Sequence, residues 1–255
     1  MKYGIRNGML GEPLEKEFEV AKKLGFDGIE FCIGGNYKSE LLWTEGGVDK
    51  LKGLADKNGM EVCSLSPGVF AGLHPALPDD SKRAEGIEMM KHTIKVCTPL
   101  ETKWILVPMF PGDVDKWTDD TWNRLADGFK ILAEVAEKHK VTLGLESTFS
   151  ADHLLKIFDL VGSKYVRAYY DVGNMTHWEK NIVEEILKLN DKICMLHIKD
   201  TDGKMLGEGK VDFKGANEAI KKIGFDDYMV LETPGGSDPK ASAAQNLAFT
   251  KKLGK

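Results

Sequence analysis

Four residues of this sequence have the types and spacing to hold a divalent cation: Glu146, Asp171, His197 and Glu232. Each closes, or nearly closes, a short apolar run. Val141-Thr142-Leu143-Gly144-Leu145 leads to Glu146, Ala168-Tyr169-Tyr170 to Asp171, Cys194-Met195-Leu196 to His197, and Met229-Val230-Leu231 to Glu232. The separations are 25, 26 and 35 residues, about one strand-plus-helix unit each. Parallel strands built from such units end on the same side, so in a closed barrel the four side chains would converge on one mouth. Three carboxylates that close raise one another's pKa unless a cation sits among them. With one imidazole they form an oxygen-rich set suited to Mn²⁺ first, then Co²⁺ or Mg²⁺, with positions left for substrate oxygens. A structural zinc would instead recruit cysteines. Cys32, Cys63, Cys97 and Cys194 are dispersed without a C-x-x-C pair, and are expected to be buried thiols in a reducing cytoplasm.

The elements that must position these side chains alternate along the chain. Strand-like runs fall at 3–7, 27–33, 60–66, 103–109, 141–146, 165–171, 192–199 and 228–232, eight in all. Between them lie segments of helical period, the clearest being Trp122, Leu125, Phe129, Leu132 and Ala136 at steps of three and four. Thr118-Asp119-Asp120 and Ser150 have the composition of helix starts. Strands alternating with helices imply parallel pairing through crossovers. At 255 residues the economical closure is an α/β fold of one domain spanning 1–255, a (β/α)8 TIM barrel. An open doubly wound sheet would bring a G-x-G-x-x-G turn after the first strand, and Asn7-Gly8-Met9-Leu10-Gly11 lacks it. Gly25-Phe26-Asp27 and Gly224-Phe225-Asp226 echo each other before the second and eighth runs, as repeated units would.

Composition narrows the partners. Lys plus Arg is 35 against 40 for Asp plus Glu, a net charge of −5. That disfavours nucleic acid and acidic membranes as partners. No run of 18 apolar residues is present, and Met1-Lys2-Tyr3-Gly4-Ile5 begins as structure rather than as a secretory signal. Two long connections, 67–80 and 200–212, would lie at the C-terminal face, where function gathers in barrels. The first carries Phe70 and His74, which either close over a substrate or are ordinary loop residues. The second carries Glu208 in a Gly-Glu-Gly loop, where it either binds substrate hydroxyls or orders the loop.

Several segments resemble the sugar-phosphate isomerase/epimerase superfamily of xylose-isomerase-like barrels. They are Leu24-Gly25-Phe26-Asp27-Gly28-Ile29-Glu30, Gly144-Leu145-Glu146, Asp171-Val172-Gly173-Asn174, His197-Ile198-Lys199-Asp200, Gly207-Glu208-Gly209-Lys210-Val211-Asp212-Phe213 and Leu231-Glu232. The resemblance spans essentially the whole chain. It implies that Glu146, Asp171, His197 and Glu232 bind the metal and that Glu146 and Glu232 are the catalytic proton carriers. The reaction implied is epimerisation of a ketose or ketose phosphate at C3 through a metal-bound cis-enediolate, with aldose–ketose isomerisation as the neighbouring chemistry.

Epimerases of free ketoses often carry His three residues after the strand-six Asp, where this chain has Asn174. Asn174 and Lys199 are then the expected substrate-binding positions, beside Glu208 and His74, and the motifs look more like the branch acting on ketose phosphates. A phosphate is expected at the helix start Gly235-Gly236-Ser237, although no arginine follows Arg167 to clamp it. The same resemblance implies a homo-oligomer. Three other functions share the scaffold. An inosose-type dehydratase would expel a hydroxyl from the same enediolate. A trinuclear-zinc DNA-repair endonuclease needs further histidines, and Asn174 replaces one. A non-catalytic sugar-binding relative would not need both glutamates.

Overall fold

The computed structural model describes residues 1–253 of the chain. Eight parallel strands close on themselves in sequence order. They are β1 (Lys2–Arg6), β2 (Gly28–Ile33), β3 (Glu61–Pro67), β4 (Trp104–Met109), β5 (Thr142–Ser147), β6 (Val166–Asp171), β7 (Ile193–Ile198) and β8 (Tyr228–Leu231). The outer helices are α1 (Leu14–Leu24), α2 (Gly47–Lys57), α3 (Asp80–Leu100), α4 (Asp119–His139), α5 (Ala151–Val161), α6 (Val172–His177), α7 (Ile182–Leu189), α8 (Phe213–Lys222) and α9 (Pro239–Leu253). This is a (β/α)8 TIM barrel. The stripe of Trp122, Leu125, Phe129, Leu132 and Ala136 is buried along α4. The Thr118 hydroxyl caps that helix by accepting from the Thr121 amide.

Every strand lies within about a residue of the run read from the sequence. β8 stops at Leu231, but the Glu232 amide still donates to Ile198 O at 3.2 Å, so Glu232 continues the line of the strand. One connection departs from a single helix: β6 passes straight into α6, and α7 follows. The cause is local. Asp171 Oδ1 accepts from the Asn174 amide at 2.8 Å, so the residue that ends the strand also caps the helix after it. The tripeptide echo has a physical meaning as well. Gly25 and Gly224 take the left-handed backbone that ends a helix. The next amide reaches back five residues in each case, Phe26 N to Ala21 O and Phe225 N to Ile220 O.

Side chains alternate in and out along each strand. Inside the barrel, Cys63, Leu106, Tyr169, Met195, Tyr228 and Val230 form a closed apolar layer. Two residues further along their own strands, Tyr169, Met195 and Val230 give way to Asp171, His197 and Glu232. On β5, Gly144 gives way to Glu146 in the same step. The apolar layer is therefore the floor on which the polar cluster stands. Glycine makes the floor fit: a Cβ on Gly144 would lie 2.8 Å from Cys194 Sγ and 3.0 Å from Tyr169 Cβ.

The four cysteines are free thiols. Among the described residues, no helix is long and apolar enough to cross a membrane. Gly144→Ala should destabilise the fold by ~1–3 kcal/mol, the usual cost of overpacking a filled interior. Urea unfolding of the variant beside the parent measures this, and an unchanged midpoint would mean that the floor has slack.

Candidate active site

Glu146, Asp171, His197 and Glu232 meet at the C-terminal mouth. One ligand-capable atom from each lies within 4.8 Å of those of the others. His197 is the hub. Its Nδ1 is 3.0 Å from Glu146 Oε1, 3.3 Å from Glu232 Oε2 and 3.6 Å from Asp171 Oδ2. Lys199, two residues on and on the same side of its strand, places Nζ 3.0 Å from both Asp171 Oδ2 and Glu232 Oε2. Asn174 Nδ2 donates to Glu146 Oε1 at 3.3 Å. The packing under Lys199 requires Gly173, where a Cβ would meet the Lys199 Cγ at 2.4 Å and its carbonyl oxygen at 2.8 Å.

Burial and charge pull these groups apart. Burial pushes the Glu146 carboxyl up to about 7, against the pull of the facing His197. The same burial acts on Asp171. There His197, Lys199 and the Asn174 amide outweigh it and bring the group down to about 2. Burial disfavours the His197 cation too, but carboxylates on both sides of the ring, Glu30 foremost, raise its pKa well above the usual value.

The donor set fits a divalent cation on three counts. It offers three carboxylates and one imidazole nitrogen within an ion's reach of one another. Asp171 Oδ2 is buried and receives no hydrogen bond of proper geometry, although Lys199 and His197 lie near it. The formal charges also leave room: Glu30, Glu146, Asp171 and Glu232 face only Arg6 and Lys199 as permanent cations. With His197 neutral, two positive charges are missing.

Two members of this constellation escape a reading confined to the last four strands. Glu30, on β2, is wholly buried and holds His197 from the other side, Oε1 to Nε2 at 3.0 Å. Arg6, the last residue of β1, forms an ion pair with Glu232 Oε1 and lies 3.5 Å from Glu30 Oε1. Both carried a usable signal. Glu30 is a lone charge inside Gly-Ile-Glu-Phe-Cys-Ile, and Arg6 ends β1 much as Asp171 ends β6.

Beside the cluster opens a cleft of about 380 Å³, lined in part by Met9, Asn174, His177, Lys199, Glu232 and Pro234. Glu208 is exposed on the loop after β7, and neither it nor His74 lines this cleft. His74 is buried among the residues after β3, with Nδ1 lacking a hydrogen-bond partner. The β7–α8 loop is ordered by Asp200. Its carboxylate accepts from the amides of Thr201 and Val211 at Oδ1 and of Gly207 and Gly209 at Oδ2. Beside the phosphate position expected at Gly235-Gly236-Ser237, the start of the next helix is already capped. Helix α9 begins at Pro239, and its first amides, Lys240 N and Ala241 N, already donate to the Asp238 carboxylate. An anion arriving there would face a like charge.

Residues 18–253 match the model of the family described as xylose isomerase-like TIM barrel. Among characterised sequences, the chain is similar to the L-ribulose-5-phosphate 3-epimerase UlaE of Escherichia coli (strain SMS-3-5 / SECEC). The two are 26% identical over 94% of this chain and 90% of that protein. Among solved structures, an L-ribulose 3-epimerase superposes with a TM-score of 0.84 at 22% identity, covering 99% of this chain and 94% of the other. The D-psicose 3-epimerase of Clostridium cellulolyticum H10, solved with D-tagatose, gives 0.81 at 21% identity and 99% of both chains. At these identities the two structural likenesses establish the fold.

Asp200→Asn should loosen the β7–α8 loop, because the amide offers one acceptor oxygen where the carboxylate offers two. Hydrogen exchange should quicken at Gly207, Gly209 and Val211 while the strands stay protected. A stability loss of ~1–3 kcal/mol is expected from amides that lose a charged acceptor. Unchanged exchange in 201–211 would show that the loop is held by other contacts.

Proposed function

The chain belongs to the xylose isomerase-like TIM barrel family, and from that premise we propose that it is a divalent-metal-dependent epimerase that inverts C3 of a ketose or ketose phosphate. The observation that carries the reading is the meeting of two glutamates, from strands three places apart around the barrel, at one histidine and one aspartate. The 3-epimerase named among its relatives supports it.

Glu146, Asp171, His197 and Glu232 would hold the ion, with Mn²⁺ the first choice for an oxygen-rich set. Bound there, it would supply Lewis-acid polarisation of the substrate carbonyl and acidify the neighbouring C–H. The remaining chemistry belongs to the side chains. Glu146 and Glu232 reach the cluster from different sides of the mouth, so a ketose seated between them offers each carboxylate one face of C3. One carboxylate takes the C3 proton and the other, protonated, returns one to the opposite face, which inverts the centre. Isomerisation between C1 and C2 needs only one face, and a single base would suffice for it.

The two carboxylates are held differently. Arg6 and Lys199 grip the two oxygens of Glu232, while the Asn174 amide steadies Glu146. Asn174 and Lys199 also line the cleft, and we assign them to substrate oxygens. Four unpaired thiols support a reducing, cytoplasmic compartment.

Proton NMR in D₂O tests the reading, with the Mn²⁺-loaded enzyme, a diamagnetic Mg²⁺ control, and free and phosphorylated ketopentoses and ketohexoses. Deuterium should enter C3 with inversion. Entry at C1 or C2 would make the enzyme an isomerase, and no exchange with any sugar would overturn the proposal. Glu146→Gln and Glu232→Gln should each lower kcat by ~10²–10⁴, the contribution typical of a positioned proton carrier, with melting temperatures near that of the parent. Near-parental turnover in either variant would exclude the two-carboxylate mechanism. His197→Ala should weaken Mn²⁺ binding measured by calorimetry.

A further inference from the structure

We infer that Glu30 is the positioning residue that fixes which nitrogen of His197 faces the ligand set. This rests on reading Glu146, Asp171, His197 and Glu232 as a metal site.

Glu30 is 0% exposed, and a carboxylate so deeply buried is costly unless every lone pair is used. Here each oxygen has assigned partners. Oε2 accepts from the Ser64 hydroxyl at 2.7 Å and from the Tyr169 hydroxyl at 2.8 Å. Oε1 faces His197 Nε2 at 3.0 Å, with Arg6 Nε at 3.5 Å. Ser64 comes from β3 and Tyr169 from β6, so Glu30 is tied across the barrel interior and cannot turn away from the imidazole.

The consequence for His197 is geometric. Glu30 Oε1 at 3.0 Å from Nε2 and Glu146 Oε1 at 3.0 Å from Nδ1 are equal acceptors, so both nitrogens donate while the ring is charged. A cation among Glu146, Asp171 and Glu232 would displace the Nδ1 proton and leave the Nε2 proton held by Glu30. A neutral imidazole then has its lone pair on Nδ1, and Nδ1 is the atom turned toward Glu146, Asp171 and Glu232. The opposite tautomer would aim a lone pair at the Glu30 carboxylate and an N–H at the place a cation would take. A carboxylate behind a ligating histidine sets both the ring's orientation and its basicity.

Tyr169 extends the device downward. It belongs to the apolar floor, its ring packs 4.6 Å from that of His197, and its hydroxyl reaches up to Glu30. The space freed by Gly144 therefore admits the side chain that holds the carboxylate holding the histidine.

The test is Mn²⁺ affinity by calorimetry for the parent, Glu30→Gln and the milder Tyr169→Phe. The ring ¹⁵N spectrum of His197 in the Zn²⁺-loaded parent accompanies it. Gln keeps the size of Glu30 and can still accept from Nε2, but it lacks the charge. Glu30→Gln should weaken Mn²⁺ binding by ~10–100-fold, the usual effect of losing such a partner, and Tyr169→Phe by a smaller factor. The ¹⁵N spectrum should show a protonated Nε2 and a metal-bound Nδ1. A purely structural role would lower melting temperatures and leave the affinity of the folded fraction unchanged.

Affinity within twofold of the parent in Glu30→Gln, or a metal-bound Nε2, would overturn the assignment of Glu30 and leave the metal site standing. A parent that binds no Mn²⁺ or Zn²⁺ would sink the metal site and this role together. Should Glu30→Gln fail to fold, the ¹⁵N assignment in the parent and the affinity of Tyr169→Phe decide the matter.

Discussion

Four carboxylates crowd one barrel mouth, three of them buried and Glu232 half-buried, and much of the site follows from how their charge is compensated. Glu30, Glu146, Asp171 and Glu232 cannot all be ionised in a dry interior unless positive charge lies within a few ångströms. Arg6 and Lys199 supply part of it, and the His197 ring is squeezed between carboxylates on both sides. With His197 neutral and Glu146 ionised, as a ligand set requires, the remaining deficit of two charges matches a divalent ion. Compensation also explains the divergent behaviour of neighbours: Asp171 has Lys199, His197 and a backbone amide, while Glu146 has only the shared histidine and a neutral amide. Similar burial therefore ends in opposite shifts.

The barrel makes this arrangement affordable by separating its layers. The floor of Cys63, Leu106, Tyr169, Met195, Tyr228 and Val230 is apolar and filled, and the charged layer begins one side-chain period above it. Small residues decide where the large ones fit. Gly144 yields space to Tyr169 and Cys194, and Gly173 yields it to Lys199. A substitution at either glycine would thus be felt in the charged layer even though neither carries a functional group.

The fold was legible because periodicity changes sharply between strand and helix, and because eight such alternations leave few closures. The four ligand candidates were legible because each interrupts or ends an apolar run at one barrel unit's spacing. Glu30 and Arg6 were visible by the same rule but lie in the first quarter of the chain, and only closure of β8 onto β1 brings them beside Glu232 and His197. Loop side chains were not legible. Glu208 and Asp200 are equally acidic and eight residues apart, yet backbone turns send one to solvent and fold the other under four amides. Capping is similarly invisible to composition. Gly235-Gly236-Ser237 leads to a helix start whose first amides, those of Lys240 and Ala241, Asp238 already takes.

The adjacency of β7 and its loop joins the chemistry to the shape of the cleft. His197, Lys199 and Asp200 are nearly consecutive, and three jobs fall to them in turn: holding the cluster together, bridging Asp171 to Glu232, and pinning the loop over residues 201–211. A displacement of the loop therefore pulls on the segment that carries the histidine. The cleft wall built from Lys199 to Gly203 moves with the site. Pro234, two residues after Glu232, is tied to the cluster in the same way, whereas Met9 lies on the β1 connection, which carries none of the four. Changes in substrate acceptance should accordingly be sought first in the β1 loop, which carries none of the four candidate ligands.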